Sequence, residues 1–219
     1  ATNCTQGKYS AQPGLSSDSQ CSTCSEGTFG SASGLSALSQ CTACSLGEWS
    51  GSPGATACAT CVAGKYAAQS AASTVCLLCA KGKFGADAGQ GPALACAGNC
   101  SLGKWSDATG LSADDMCSEC AAGRFDATGV TGKTGPADTD CLGECSAGRH
   151  GGGQTGLHSN AQCILCAAGR FSNATGLATD SQCVGRCSIG RHGNATQGLT
   201  ANAQCLKCAR GRYAPGVGN

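Results

Sequence analysis

Cys4-Thr-Gln-Gly-Lys-Tyr-Ser-Ala-Gln-Pro-Gly-Leu-Ser-Ser-Asp-Ser-Gln-Cys-Ser-Thr-Cys24 is one period of a repeat that fills the chain. It opens with Cys-x-x-Gly-x-aromatic and closes with Gly-Leu-Ser-x-x-Ser-Gln-Cys, and a Cys-x-x-Cys pair leads into the next opener. After Cys4 the cysteines form ten close pairs, at 21/24, 41/44, 58/61, 76/79, 96/100, 117/120, 141/145, 163/166, 183/187 and 205/208. The second member of each pair restarts the phrase, as in Cys61-Val-Ala-Gly-Lys-Tyr66 and Cys166-Ala-Ala-Gly-Arg-Phe171. Successive openers lie 17 to 25 residues apart. Such a period predicts an array in which each unit buries its faces against its neighbours. The expected modules are 4–21, 24–41, 44–58, 61–76, 79–96, 100–117, 120–141, 145–163, 166–183 and 187–205, with a partial eleventh at 208–219.

The aromatic residues give the same register. Tyr9, Phe29, Trp49, Tyr66, Phe84, Trp105, Phe125, Phe171 and Tyr213 each follow the repeat glycine by two residues, and His150 and His192 take that place in the other two repeats. One large flat side chain per period reads as a miniature core, expected to pack on its own disulfide and on the following Gly-Leu. A platform for stacking bases or sugars would interleave its aromatics with polar residues at variable spacing. From Cys96 onward the close pairs alternate between three and two intervening residues. Each three-residue pair carries a glycine (Gly98, Gly143 or Gly185) that suits a bulge or a positive φ. A double repeat of about 42 residues, with alternate modules facing differently, is therefore expected in that half and not in the first. A short extended segment around Gly-Lys-Tyr is expected to pair with the segment entering the closing cysteine.

Composition excludes the competing classes. Twenty-one of 219 residues are cysteine and 35 are glycine, whereas Leu, Ile, Val and Phe together number 26. That is too little large apolar side chain for a globular enzyme of this length. Disordered chains are charge-rich and cysteine-poor, and only 12% of these residues are charged. The net charge of +1 comes without a basic run, so nucleic acid is not an expected partner. No apolar stretch approaches the ~20 residues of a membrane span. No signal-peptide pattern occurs either, so a secretion signal is expected outside these residues.

Two chemistries compete for the cysteines. Close pairs at this spacing also occur in zinc ribbons, but zinc would group the pairs two by two into five sites and leave Cys4 over. Disulfides from each opener to the next closer treat every repeat alike: Cys4–Cys21, Cys24–Cys41, Cys44–Cys58, Cys61–Cys76, Cys79–Cys96, Cys100–Cys117, Cys120–Cys141, Cys145–Cys163, Cys166–Cys183 and Cys187–Cys205. Closing a loop of this size is worth about 3 kcal/mol in the chain-entropy model. Ten such loops can replace a hydrophobic core, with no metal or other cofactor. Cys208 is left without a partner, and either continuation of the polypeptide or a bond to another chain is expected to supply one.

The phrase Cys-x-x-Gly-x-aromatic, a polar loop and Cys-x-x-Cys resembles the cysteine-rich repeats of ephrin-receptor ectodomains. It is similar too to the first module type of tumour-necrosis-factor-receptor cysteine-rich domains. The resemblance covers essentially the whole chain and concerns the scaffold. It implies the same opener-to-closer pairing around the aromatic. The family often has proline after the opener, where this chain has Ser, Ala, Thr or Val. Receptor function does not transfer with it.

Four sequons are candidates for N-glycosylation: Asn3-Cys-Thr, Asn99-Cys-Ser, Asn173-Ala-Thr and Asn194-Ala-Thr. Asp107-Ala-Thr-Gly and Asp126-Ala-Thr-Gly fill what read as equivalent places, which puts Asn173 and Asn194 on exposed turns. Nine of eleven repeats carry a basic residue after the repeat glycine (Lys8, Lys65, Lys83, Lys104, Arg124, Arg149, Arg170, Arg191 and Arg212). Stacking would align them as a ladder, whose stems are expected to cover the aromatic edges rather than bind an anionic polymer. His150 and His192 are expected to fill space. The variable stretches Gly85–Ala95 and Ala127–Asp140 are the only hints of a dedicated site, and no local catalytic motif is present.

Together these readings predict a small disulfide-rich repeat fold: an elongated, solenoid-like rod of about ten modules with short β-hairpins, little helix and no large hydrophobic core. The expected role is non-enzymatic, as an extracellular or cell-surface fibre, stalk or filament subunit that self-associates and carries glycans. The alternative is a binding module of a receptor or adhesin ectodomain.

Overall fold

A computed structural model describes residues 2–73, 75–92, 94–135, 140–193 and 197–217. The chain divides into two units, one of residues 1–99 and 108–116 and the other of residues 100–107 and 117–219. Each unit holds five two-stranded antiparallel hairpins. In the first, Lys8–Tyr9 pairs with Ser22–Thr23, Thr28–Phe29 with Thr42–Ala43, Glu48–Trp49 with Ala59–Thr60, Lys65–Tyr66 with Leu77–Leu78, and Lys83–Phe84 with Gly98–Asn99. In the second, Lys104–Trp105 pairs with Ser118–Glu119, Arg124–Phe125 with Gly143–Glu144, Arg149–His150 with Ile164–Leu165, Arg170–Phe171 with Gly185–Arg186, and Arg191–His192 with Leu206–Lys207.

The returning strand is therefore the pair of residues between the close cysteines, not the segment that enters the closing cysteine. That segment is instead a single 3-10 turn in six modules, for example Asp18–Gln20 and Leu38–Gln40. The turn's terminal glutamine folds back, so that Gln20 Oε1 accepts from the Ser16 and Ser17 amides at 2.7 and 3.2 Å. These bonds satisfy amides at the N-terminal end of the turn, which no hydrogen bond within the turn reaches.

Ten disulfides, each joining an opener to the next closer, run from Cys4–Cys21 to Cys187–Cys205, with Cα–Cα distances of 5.5 to 6.0 Å. The opener cysteines from Cys24 to Cys187 are buried in each unit. The aromatic rings of the hairpins lie half-buried, and three of them pack across a module boundary. Trp49 packs against the cluster of Cys61, Ala67 and Ala72, Phe125 against that of Cys145, Leu157 and Cys163, and Phe171 against that of Cys187, Leu199 and Cys205. The cause is strand pairing. One edge of the aromatic's strand bonds to its own returning strand. The other edge forms a parallel bridge to the Leu position of the next module, as in Tyr9 to Leu35 in the first unit and Phe171 to Leu199 in the second. Tyr213 departs from this pattern: it belongs to no hairpin among the described residues and is 84% exposed, so it is not a core residue.

Contacts also reach the second neighbour. A Cβ on Gly27 would lie 2.1 Å from the Ala71 carbonyl oxygen, two modules on, and one on Gly123 would lie 2.4 Å from that of Gly176. Gly7, Gly47 and Gly64 make the same approach in the first unit, as do Gly103 and Gly148 in the second. The second-neighbour contact is thus made in the first half as in the second. It uses only a glycine and a backbone carbonyl, so the spacing of the close cysteines does not govern it.

Gly98, Gly143 and Gly185 are absent from the positive-φ glycines. They are glycine because the rings of Phe84, Phe125 and Phe171 lie over them, 2.3 to 2.4 Å from where a Cβ would stand. The extra residue of these pairs is Ala97, Leu142 or Val184, and it is exposed.

Candidate functional site

The positions singled out by the repeat are mostly occupied in holding the array together. In the first unit Lys8 Nζ lies 2.5 Å from Asp18 Oδ2, and Lys83 Nζ donates to Asn99 Oδ1 at 3.1 Å. In the second, Arg124 pairs with Glu144 at 3.2 Å and Arg170 with Asp180 at 3.4 Å. Arg149 and Arg191 donate from Nη1 to the carbonyls of Cys163 and Cys205, each at 2.8 Å. Each of these cationic heads is turned into its own module, which leaves little of the ladder for an anionic polymer. The hydrogen bond from Lys8, with those from Thr5, holds the Asp18 carboxyl below the ordinary carboxylate value.

One polar group stands out. Asp126 directly follows Phe125, a place taken elsewhere by Ser, Gly or Ala, and it is only 2% exposed. That place is small because the residue is wedged against a neighbouring module: a Cβ on Gly151 would lie 2.3 Å from the Gly123 nitrogen. Asp126 Oδ1 accepts from the Thr128 amide and hydroxyl at 2.9 and 2.7 Å, and Lys133 Nζ lies 3.5 Å away. Oδ2 has no hydrogen-bond partner. Burial alone would raise this carboxyl, but the Thr128 hydrogen bonds and the Lys133 charge outweigh it and bring it below its ordinary value. Lys133 fills the Leu position and bridges Trp105. The group lies within the longest disulfide loop, Cys120–Cys141, which contains the variable stretch 127–140; residues 136–139 of it fall outside the described residues. The sequence signal was present as an Asp in a small-residue column and a Lys in a Leu column.

Asp126-Ala-Thr-Gly is consequently not equivalent to Asn173-Ala-Thr-Gly. Asp126 aligns with the buried Ser172, whereas Asp107 shares the exposed place of Asn173. The asparagines of the sequons differ in setting. Asn173 is exposed, and its neighbour Thr175 donates its hydroxyl to Glu144 of the module two before. Asn99 lies in a strand and accepts from Lys83. Asn3 is exposed, with its side chain against Gly34. Asn194 lies outside the described residues.

His150 is buried, its Nδ1 accepts from the Gly152 amide at 3.0 Å, and its Nε2 lies 3.7 Å from Asp180 Oδ1. Among the described residues no cluster of three His, Cys, Asp or Glu side chains could hold a metal ion. Cys208 is unpaired and partly exposed, and its amide donates to the Gly190 carbonyl at 3.0 Å, the bond to the preceding module's repeat glycine that Cys24, Cys44, Cys61, Cys79, Cys120, Cys145, Cys166 and Cys187 also make. It lines an open cleft of about 720 Å³ with His192, Arg212, Tyr213 and Pro215. No helix among the described residues is long and apolar enough to cross a membrane. The molecule is thus a set of tandem cysteine-rich repeats whose disulfides favour an oxidising, extracellular environment. No known family model matches the chain, and no curated protein is similar enough to be matched to it.

Proposed function

We propose that the chain is an extracellular structural protein with no catalytic role, a subunit of a surface fibre, stalk or filament. The observation that carries this reading is the second-neighbour contact at the repeat glycine, which leaves no room for a methyl group at Gly27 or Gly123. Within each unit, modules joined to their neighbours by parallel bridges and pressed against the next-but-one by backbone have little freedom to hinge. That is useful in a load-bearing element and unnecessary for displaying a loop. Near-neutral net charge also permits association between copies. Asn173 and Asn194 would carry glycan on such a surface.

The second reading is an adhesin or receptor module that uses the 127–140 loop, and the buried Asp126–Lys133 pair favours it by giving that loop an internal polar anchor. Electron microscopy of purified native material separates the two. Filaments built from this chain support the structural reading. Dispersed particles that bind a partner, and lose it when residues 127–135 are replaced by a short Gly-Ser loop, would overturn it.

A further inference from the structure

Five of the 3-10 turns end on a glutamine whose Oε1 accepts from two backbone amides, four and three residues back. The pairs are Ser16 and Ser17, Ser36 and Ala37, His158 and Ser159, Ala178 and Thr179, and Thr200 and Ala201, at 2.5 to 3.2 Å. The sixth turn, Asp114–Met116, ends on the only methionine of the chain. Met116 takes the glutamine's place but offers only its sulfur, 3.4 Å from the Ser112 amide and 3.2 Å from the Ser112 hydroxyl. A thioether is a weak acceptor. The Ala113 amide, the counterpart of Ser17, gains no side-chain acceptor from it. Met116 is also 52% exposed, within reach of a small oxidant.

These facts fit one modification. Methionine sulfoxide has the branching of glutamine: the sulfoxide oxygen stands where Oε1 does, the sulfur where Cδ does, and the methyl where the amide nitrogen does. We propose that Met116 is a site of S-oxidation by peroxide, at which the sulfoxide completes the cap that the other turns build with glutamine. A sulfur lone pair attacks one peroxide oxygen, the O–O bond breaks as the S–O bond forms, and the other oxygen leaves as water after proton transfer. Sulfur is oxidised and peroxide is reduced. Methionine oxidation normally damages apolar packing. Here the side chain is exposed, and the new oxygen meets two amides that lack a strong acceptor, so oxidation tightens the turn instead.

The test is hydrogen exchange on the full chain before and after mild hydrogen peroxide treatment, with peptide mass spectrometry to confirm one added oxygen at Met116. Oxidation is expected to slow exchange of the Ser112 and Ala113 amides about tenfold, the effect of one ordinary hydrogen bond gained. Met116→Gln should show the same slowing without oxidant. Met116→Leu should show no response at these amides, which controls for oxidation of Cys208. Faster or unchanged exchange after oxidation, failure of Met116 to react, or a Met116→Gln chain that exchanges like the unmodified protein would each overturn the proposal.

Discussion

Replacing Gly27 by alanine tests whether the second-neighbour contact holds the array, and replacing Gly14 supplies the control. Both glycines have a φ of 78°, so each substitution forces an L-residue into the left-handed region, at about 1–2 kcal/mol. Nothing lies within 4 Å of the Cβ position at Gly14. At Gly27 the new Cβ would stand 2.1 Å from the Ala71 oxygen and 2.7 Å from its carbonyl carbon. Ordinary contact needs roughly another ångström, and overpacking of that kind adds about 1–3 kcal/mol. The displacement also strains two hydrogen bonds, from Gly27 to Ser50 and from Ala71 to Cys44, each 2.8 Å long and each worth about 1 kcal/mol. Gly14→Ala should therefore cost about 1–2 kcal/mol and Gly27→Ala about 3–5 kcal/mol. The difference corresponds to a factor of roughly 30 to 150 in local opening. Amide exchange at Ala71 is the assay, because a cross-linked repeat array has no single two-state unfolding transition to measure. Equal exchange at Ala71 in the two variants would refute the contact.

Ala71 itself is the only described non-glycine residue with positive φ, at 56°, in a column where the other modules have glycine. Ala71→Gly should stabilise the module by about 1 kcal/mol, read as roughly fivefold slower exchange of the residue-71 amide. Asp126 makes stability depend on pH. Its folded carboxyl lies below the ordinary value of 3.8, so its contribution is complete above that value and drains away as pH falls through the lower, folded one. Exchange protection of the Thr128 amide should therefore fall in that acid range. In Asp126→Asn the extra pH dependence should vanish; a profile the same in both proteins would contradict this assignment.

Cysteine spacing made the modules legible, because a covalent loop closes on the residues that flank it. The aromatic column made the hairpin strands legible in the same way. What spacing cannot encode is the direction of stacking. Tyr9 is as far in sequence from its own Leu15 as Phe29 is from Leu35, yet it bridges Leu35, since the free edge of its strand faces the next module. Nor does a glycine column say why it is glycine: Gly27 needs both its φ and the absence of a Cβ, whereas Gly185 needs only the latter, beneath Phe171. Asp126 was legible in principle, as an exception within a column of small residues. Its burial depended on knowing that the column is wedged against a neighbour.

The burial of the cystines has a chemical consequence. In the first unit the closing cysteines Cys21, Cys41, Cys58, Cys76 and Cys96 are partly exposed, while in the second Cys117, Cys141, Cys163, Cys183 and Cys205 are 5% exposed or less. Leu157, Leu177 and Leu199 cover three of the latter. Reduction requires a thiolate to reach a sulfur, so access decides which bridge yields first. The first unit's partly exposed closing cysteines offer a small reductant an approach that the second unit's buried ones withhold until local opening. An order of dismantling follows, in which the first unit is open to thiol attack while the second keeps its cross-links.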